Sequence, residues 1–129
     1  MIAVDTSALM AIALGEADCG VCIDVLEAET EVLVSAATVA EALIVAARRN
    51  VATEMAELIE GLGLTIIPVT AAAARGVAQA YARWGKGVHP AGLNFGDCFA
   101  YAVAKDNDCN LLYVGDDFSR TDLADARTA

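Results

Sequence analysis

Met1-Ile2-Ala3-Val4-Asp5 opens the chain as an apolar run closed by an acid, and Asn110-Leu111-Leu112-Tyr113-Val114-Gly115-Asp116-Asp117 repeats the arrangement near its end. Both runs have the length and aliphatic content of buried strands. Between them, short β-branched runs alternate with longer alanine-rich helical patterns. The periodicity predicts strands at about 2–5, 32–34, 64–69 and 111–114, and helices at about 7–14, 16–29, 36–49, 53–62, 71–84 and 96–107. Asp5, Thr6 or Ser7 can cap the first helix, Ser35 the third and Thr70 the fifth. Gly61 and Gly63 stop the fourth. Residues 85–95 read as a loop, and residues 118–129 as a short helix, a fifth edge strand or a frayed tail. Strands joined by helical crossovers make a parallel α/β sandwich, whose ligands sit beyond the carboxyl ends of the strands where the strand order reverses. If the first and last strands are neighbours, Asp5 and Asp116-Asp117 converge on that crevice.

The 129 residues make one domain of ordinary size. A hydrophobic content of 57% excludes disorder over the whole chain. It also points to self-association or a dedicated protein partner. The helices at 7–14 and 36–49 are the expected protein-binding surface. No apolar run reaches the ~18 residues needed to cross a bilayer. The start lacks a basic region and is interrupted by Asp5, unlike a signal peptide, so a cytoplasmic location is the default expectation.

The net charge of −10 argues against simple electrostatic attraction to nucleic acid. The distribution qualifies this, because residues 61–96 hold no acid but do hold Arg75, Arg83, Lys86 and His89, with Tyr81 and Trp84 between them. These cations and Arg120 are candidate phosphate contacts, with Tyr81 or Trp84 as stacking partners. The competing reading is a solvated helix face with Trp84 in the core. Cys19-Gly20-Val21-Cys22 falls inside the helical pattern at 16–29 rather than just after a strand, so these cysteines read as small helix fillers, not a redox pair.

Two further acids sit where burial would penalise them. Glu41 is the lone charge in Ala36-Ala37-Thr38-Val39-Ala40-Glu41-Ala42-Leu43-Ile44-Val45, and its helical neighbours Ala37, Thr38, Ile44 and Val45 are mostly apolar. Asp97 opens the stretch Cys98-Phe99-Ala100-Tyr101-Ala102-Val103. A helix dipole alone would favour it there by roughly 0.3–1 kcal/mol. Asn94 can serve as the cap instead and free Asp97 for a ligand. Carboxylates in apolar surroundings cost desolvation energy unless paired. Asp5, Glu41, Asp97 and one or both of Asp116 and Asp117, without nearby imidazole or thiolate, make a hard oxygen site suited to Mg²⁺ or Mn²⁺. Its natural chemistry is attack of activated water on a phosphodiester. Ser7 and Asn94 are placed behind these acids as supporting groups, and so are Thr121 and Asp122.

The start Val4-Asp5-Thr6-Ser7-Ala8-Leu9, the Glu41 helix, the run Leu93-Asn94-Phe95-Gly96-Asp97-Cys98 and the ending Gly115-Asp116-Asp117-Phe118-Ser119-Arg120-Thr121-Asp122 together resemble the PIN-domain ribonucleases, and among them the VapC toxins of bacterial type II toxin–antitoxin pairs. The resemblance covers essentially the whole chain. It implies a three-layer α/β/α domain and a Mg²⁺- or Mn²⁺-dependent endoribonuclease. Asp5, Glu41 and Asp97 fall on the family's acidic positions. Asp117 is favoured over Asp116 as the fourth, because the position before Asp-Phe varies in the family. Asp5, Asp97 and Asp117 would hold the metal, and Glu41 would orient or deprotonate the attacking water. The resemblance also implies a VapB-type antitoxin, an RNA substrate and a homodimer. The alternatives are a catalytically silent PIN-like module that binds RNA or protein, and a different metal phosphotransfer domain. An aspartyl phosphatase would want an acid where Ser7 stands, and a receiver would want a lysine after a later strand.

Overall fold

The computed structural model describes residues 1–128. Four strands, β1 (Ile2–Val4), β2 (Val32–Ser35), β3 (Thr65–Ile67) and β4 (Asn110–Leu112), form one parallel sheet in the order β3-β2-β1-β4. The helices are α1 (Thr6–Ala13), α2 (Cys19–Ala28), α3 (Ala36–Arg48), α4 (Ala52–Leu62), α5 (Ala71–Trp84) and α6 (Phe95–Asp106). Alternation of side chains along each strand assigns them to two layers. Ala3, Leu33 and Leu111 face Val77, Ala80 and Trp84 of α5 and Cys98, Tyr101 and Ala102 of α6. Ile2, Val4, Val32, Val34 and Leu112 face Leu9, Cys22, Leu26, Ala42, Ala46 and Met55, from α1 to α4. The result is the expected α/β/α sandwich. Among the described residues no helix is long and apolar enough to cross a membrane.

β1 pairs with β4 on one side and β2 on the other, so the strand order reverses at β1. The register sets Val4 beside Leu112, and the Asp5 N–H donates to the Leu112 carbonyl at 3.0 Å. Asp5 and the turn after β4 therefore leave the sheet side by side.

Several local readings are settled or change. Of the three candidates Asp5 caps α1: its side chain accepts from the Ser7 N–H, and Thr6 and Ser7 are already helical. Ser35 and Thr70 cap α3 and α5 as expected. Gly61 is helical, and Gly63 alone ends α4 in the left-handed region at φ 61°. β3 stops at Ile67 because Pro68 has no N–H for the ladder. α2 begins at Cys19, so the cysteine pair does open a helix, but it follows a turn from α1 rather than a strand. Cys22 is fully buried and its thiol is pushed up by burial, which leaves it unreactive. After Asp117 the chain adds a single parallel bridge, Leu111 to Asp125, and a 3-10 turn over Ala126–Thr128, while Ala129 lies outside the described residues.

Candidate active site

Asp5 is in extended conformation (φ −96°, ψ 158°), so its side chain continues the alternation of Ala3 toward α6. Its Oδ2 accepts hydrogen bonds from the Ser7 backbone N–H at 3.0 Å and from the Ser7 hydroxyl at 2.7 Å. Ser7 Oγ in turn accepts from the Val114 N–H at 3.0 Å, tying the start of α1 to the end of β4. Ser7 thus hydrogen-bonds the Asp5 carboxylate and the end of β4 at once.

Asn94 and Asp97 form a reciprocal capping box at the start of α6. Asn94 Oδ1 accepts from the Asp97 N–H at 2.8 Å, and Asp97 Oδ2 accepts from the Asn94 N–H at 3.0 Å. One carboxylate oxygen of Asp97 is spent on the helix, and the other accepts no hydrogen bond among the described residues. One oxygen of Asp97 thus caps α6 and the other is left over for a ligand.

Glu41 is half-buried rather than buried. The core face of α3 is Thr38, Ala42 and Ala46, while Ile44 is 59% exposed. The apolar neighbours that made Glu41 look buried thus lie partly on the surface. What holds Glu41 is the Thr6 hydroxyl, which donates to Oε1 at 2.6 Å. Its carboxylate also lies against the bare Cα of Gly96, where a β-carbon would collide with it. Thr6 and Gly96 are the residues that sequence reasoning missed as site groups. A glycine at the second position of a helix, where alanine would be better by roughly 0.5–1 kcal/mol, was the available signal.

The four acids form one electrostatic unit. Burial pushes Asp5 up to about 6, the two Ser7 hydrogen bonds oppose the shift, and the charge of Glu41 adds to it. Burial pushes Asp97 up to about 7, the Asn94 N–H opposes, and the charges of Asp5, Asp117 and Glu41 push the same way. Asp117 is among the charges that push Asp97 up. Asp116 instead builds the turn, its carbonyl accepting from the Ser119 N–H and hydroxyl. Among the described residues no ion pair involves Asp5, Glu41, Asp97 or Asp117. Repelling, cation-free carboxylates of this kind suit a hard divalent ion. No three of them stand close enough to ligate one ion as they are.

Two supporting residues expected behind the acids stand elsewhere. Asp122 is engaged by the Tyr101 hydroxyl at 2.7 Å, Lys105 at 3.0 Å and Arg83 at 3.7 Å. Partial burial works against its charge, but Tyr101 and Lys105 outweigh it and hold the carboxyl below its ordinary value. Thr121 donates to the Phe118 carbonyl and accepts from the Leu123 N–H, which makes it a turn builder. Both serve the loop that carries Asp117, at one remove from the acids.

The basic residues divide in the same way. Trp84 is buried, and its indole N–H donates to Tyr101 Oη at 2.9 Å, so it packs in the core rather than offering a stacking face. Arg83 lies over its ring and pairs with Asp122. His89 packs edge-on against Trp84 and accepts from the Ala91 N–H, which makes it a loop organiser. Arg120 reaches the Pro90 carbonyl at 3.3 Å and joins the 85–92 loop to the Asp117 turn. Arg75 and Lys86 are exposed.

Comparisons with known proteins show the family and the fold. The PIN domain family model matches residues 2–123. Ribonuclease VapC36 of Mycobacterium tuberculosis is 42% identical over 93% of this chain and 89% of its own length. Ribonuclease VapC42 of the same organism is 38% identical over 97% and 98%. This chain belongs to the PIN-domain family, among the VapC ribonucleases. Solved structures share its fold: Mycobacterium tuberculosis VapC20, a sarcin–ricin-loop-cleaving toxin, superposes with a TM-score of 0.78 at 22% identity over 96% of this chain and 97% of that one. The VapBC2 complex of Rickettsia felis, bound to a promoter DNA fragment, gives 0.68 at 16% identity over 93% and 92%.

Proposed function

We propose that this VapC-family chain is a divalent-metal-dependent endoribonuclease, the toxin of a VapBC-type pair, whose centre is Asp5, Glu41, Asp97 and Asp117. The observation that supports it best is the meeting of these acids from four separate elements with no cation beside them. Asp5, Asp97 and Asp117 would hold Mg²⁺ or Mn²⁺, directly or through water. When bound, the ion activates water and offsets charge building on the phosphate oxygens. Glu41, fixed by Thr6 and backed by Gly96, orients the attacking water and takes its proton. Ser7 fixes the position of Asp5, and the capping box fixes that of Asp97. In-line attack breaks the P–O3′ bond and leaves 5′-phosphate and 3′-hydroxyl ends. The relatives carry VapC names, and toxin–antitoxin complexes share the fold, which supports a VapB-type antitoxin as partner. Exposed Leu43 and Ile44 on α3 offer apolar area for such a partner or for a second copy.

The test is to incubate the purified, partner-free chain with total RNA and Mg²⁺ or Mn²⁺, alongside Asp5→Asn and Glu41→Gln. Metal-dependent cutting lost in both variants is the expected result. Cutting that survives both would sink the assigned centre. An inert but folded wild-type chain would favour the silent-module reading.

A further inference from the structure

Phe95 is the first residue of α6, two positions from Asp97 and next to Gly96, against which Glu41 rests. Its side chain is 71% exposed. A single exposed apolar side chain needs no explanation. This one has a fixed attitude. Its ring stands at 90° to that of Phe99, with centroids 4.9 Å apart. Phe99 in turn lines a groove of about 470 Å³ that also includes Ser35, Ile67, Val69 and Arg75. An aromatic step therefore leads from the acids into a groove lined by one cation, Arg75, and one acid, Asp106.

The charge balance says what such a step is for. The protein carries −10, so the phosphate backbone contributes little net attraction. Three of its eight cations are committed internally, Arg83 and Lys105 to Asp122 and Arg127 to Asp125 and Asp18, while Arg48, Arg49, Arg75 and Lys86 are exposed. Trp84 and His89 are held in the core and the loop. Base stacking on an exposed ring adds RNA affinity that does not need positive charge.

We propose that Phe95 is a nucleobase platform: a base beside the scissile phosphate stacks on its exposed face, and a neighbouring nucleotide enters the groove that begins at Phe99, toward Arg75. This rests on the nuclease reading for the position of the scissile phosphate, but stacking itself does not depend on cutting. Phe95 is a positioning residue and moves no proton.

The test uses the full chain with Asp5→Asn to prevent cutting. The probe is a short single-stranded RNA with 2-aminopurine at one site, flanked in turn by each base, and its fluorescence is titrated in Mg²⁺. Binding should quench the probe. Phe95→Ala should weaken binding roughly 10-fold or more and remove the quench, while Phe95→Trp keeps both. The slope of log Kd against log salt should stay the same in Phe95→Ala, because no phosphate contact is lost. Equal thermal melts of the two variants would exclude a folding effect. Unchanged affinity and quench in Phe95→Ala overturn the platform. So does a Phe95→Ala chain that binds RNA normally but no longer binds a VapB-type partner, which would make the ring a protein contact. The nuclease reading fails separately: a Phe95-dependent quench with no cutting by the wild-type chain leaves the platform standing without it.

Discussion

The Thr6 hydroxyl donates to Glu41 Oε1 at 2.6 Å, and the bare Cα of Gly96 lies against the same carboxylate. Thr6 is the first residue of α1 and Gly96 the second of α6, so Glu41 on α3 is held where three elements meet. Thr6→Val keeps the volume and removes the donor. It should lower kcat roughly 10- to 100-fold with KM little changed, because Glu41 acts on water rather than on binding. Steady-state kinetics on a cleavable RNA check this, and an unchanged kcat would make the contact merely structural.

Gly96→Ala separates stability from function. The backbone there is ordinary helix, so alanine should leave the melting temperature equal or higher. The new β-carbon meets the Glu41 carboxylate and must displace it. Thermal melts and cleavage assays on the same preparation should show a folded chain with cleavage down by roughly 100-fold. A fully active variant would mean that Glu41 can work from another position.

Asp116 and Asp117 are separable in the same way. Asp117→Asn removes a charge that Asp97 feels, and cleavage should fall roughly 100-fold. Asp116 serves its turn through its backbone carbonyl, which asparagine keeps, so Asp116→Asn should stay within a few-fold of wild type. The reverse ranking in parallel assays would move the fourth acid one residue back.

The metal-free protein should lose stability as pH rises. Asp5 titrates at about 6 and Asp97 at about 7 when folded, against an ordinary 3.8. Between these limits the folded chain binds more protons than the unfolded one, so the raised values favour folding at low pH and lose that effect as pH climbs through about 7. Each unit corresponds to about 1.4 kcal/mol, so the combined effect reaches roughly several kcal/mol. Mg²⁺ should therefore raise the melting temperature more at about pH 8 than at about pH 5, where protons compete for the same oxygens. Melts in chelator and in Mg²⁺ at both values measure this. A metal effect independent of pH would contradict the shared site.

Tyr101 joins three elements: its hydroxyl accepts from Trp84 and donates to Asp122, and this bond helps push the phenol, already raised by burial, up to about 12. Tyr101→Phe strands the buried indole N–H at a cost of roughly 1–3 kcal/mol. A drop of several degrees in melting temperature should follow. Cleavage per folded molecule should change less than in Thr6→Val, since Asp122 acts on the loop and not on the acids.

The strands were legible, and the acids at their ends could be singled out, because strand ends are written locally. Asp5 follows Val4, Asp117 follows the last apolar run, and parallel topology brings the two together once β1 and β4 are neighbours. The capping box was half legible, since Asn94 and Asp97 have cap spacing but the sharing of one carboxylate between cap and crevice is a matter of geometry. Glu41 was identified for a partly mistaken reason: Ile44 on its face is exposed, and the partner that matters is Thr6, 35 residues away. Asp122 lay near Asp117 in sequence and was grouped with it. Its true partners, Tyr101, Lys105 and Arg83, come from helices whose packing no local pattern encodes.

The most direct measurement is the chemistry of the RNA ends. Products of the wild-type chain in Mg²⁺ should ligate as 5′-phosphates, and chelator, Glu41→Gln or Asp97→Asn should remove those ends. Products bearing 2′,3′-cyclic phosphate, or cutting that continues in chelator, would contradict a metal-assisted attack of water at Asp5, Glu41, Asp97 and Asp117.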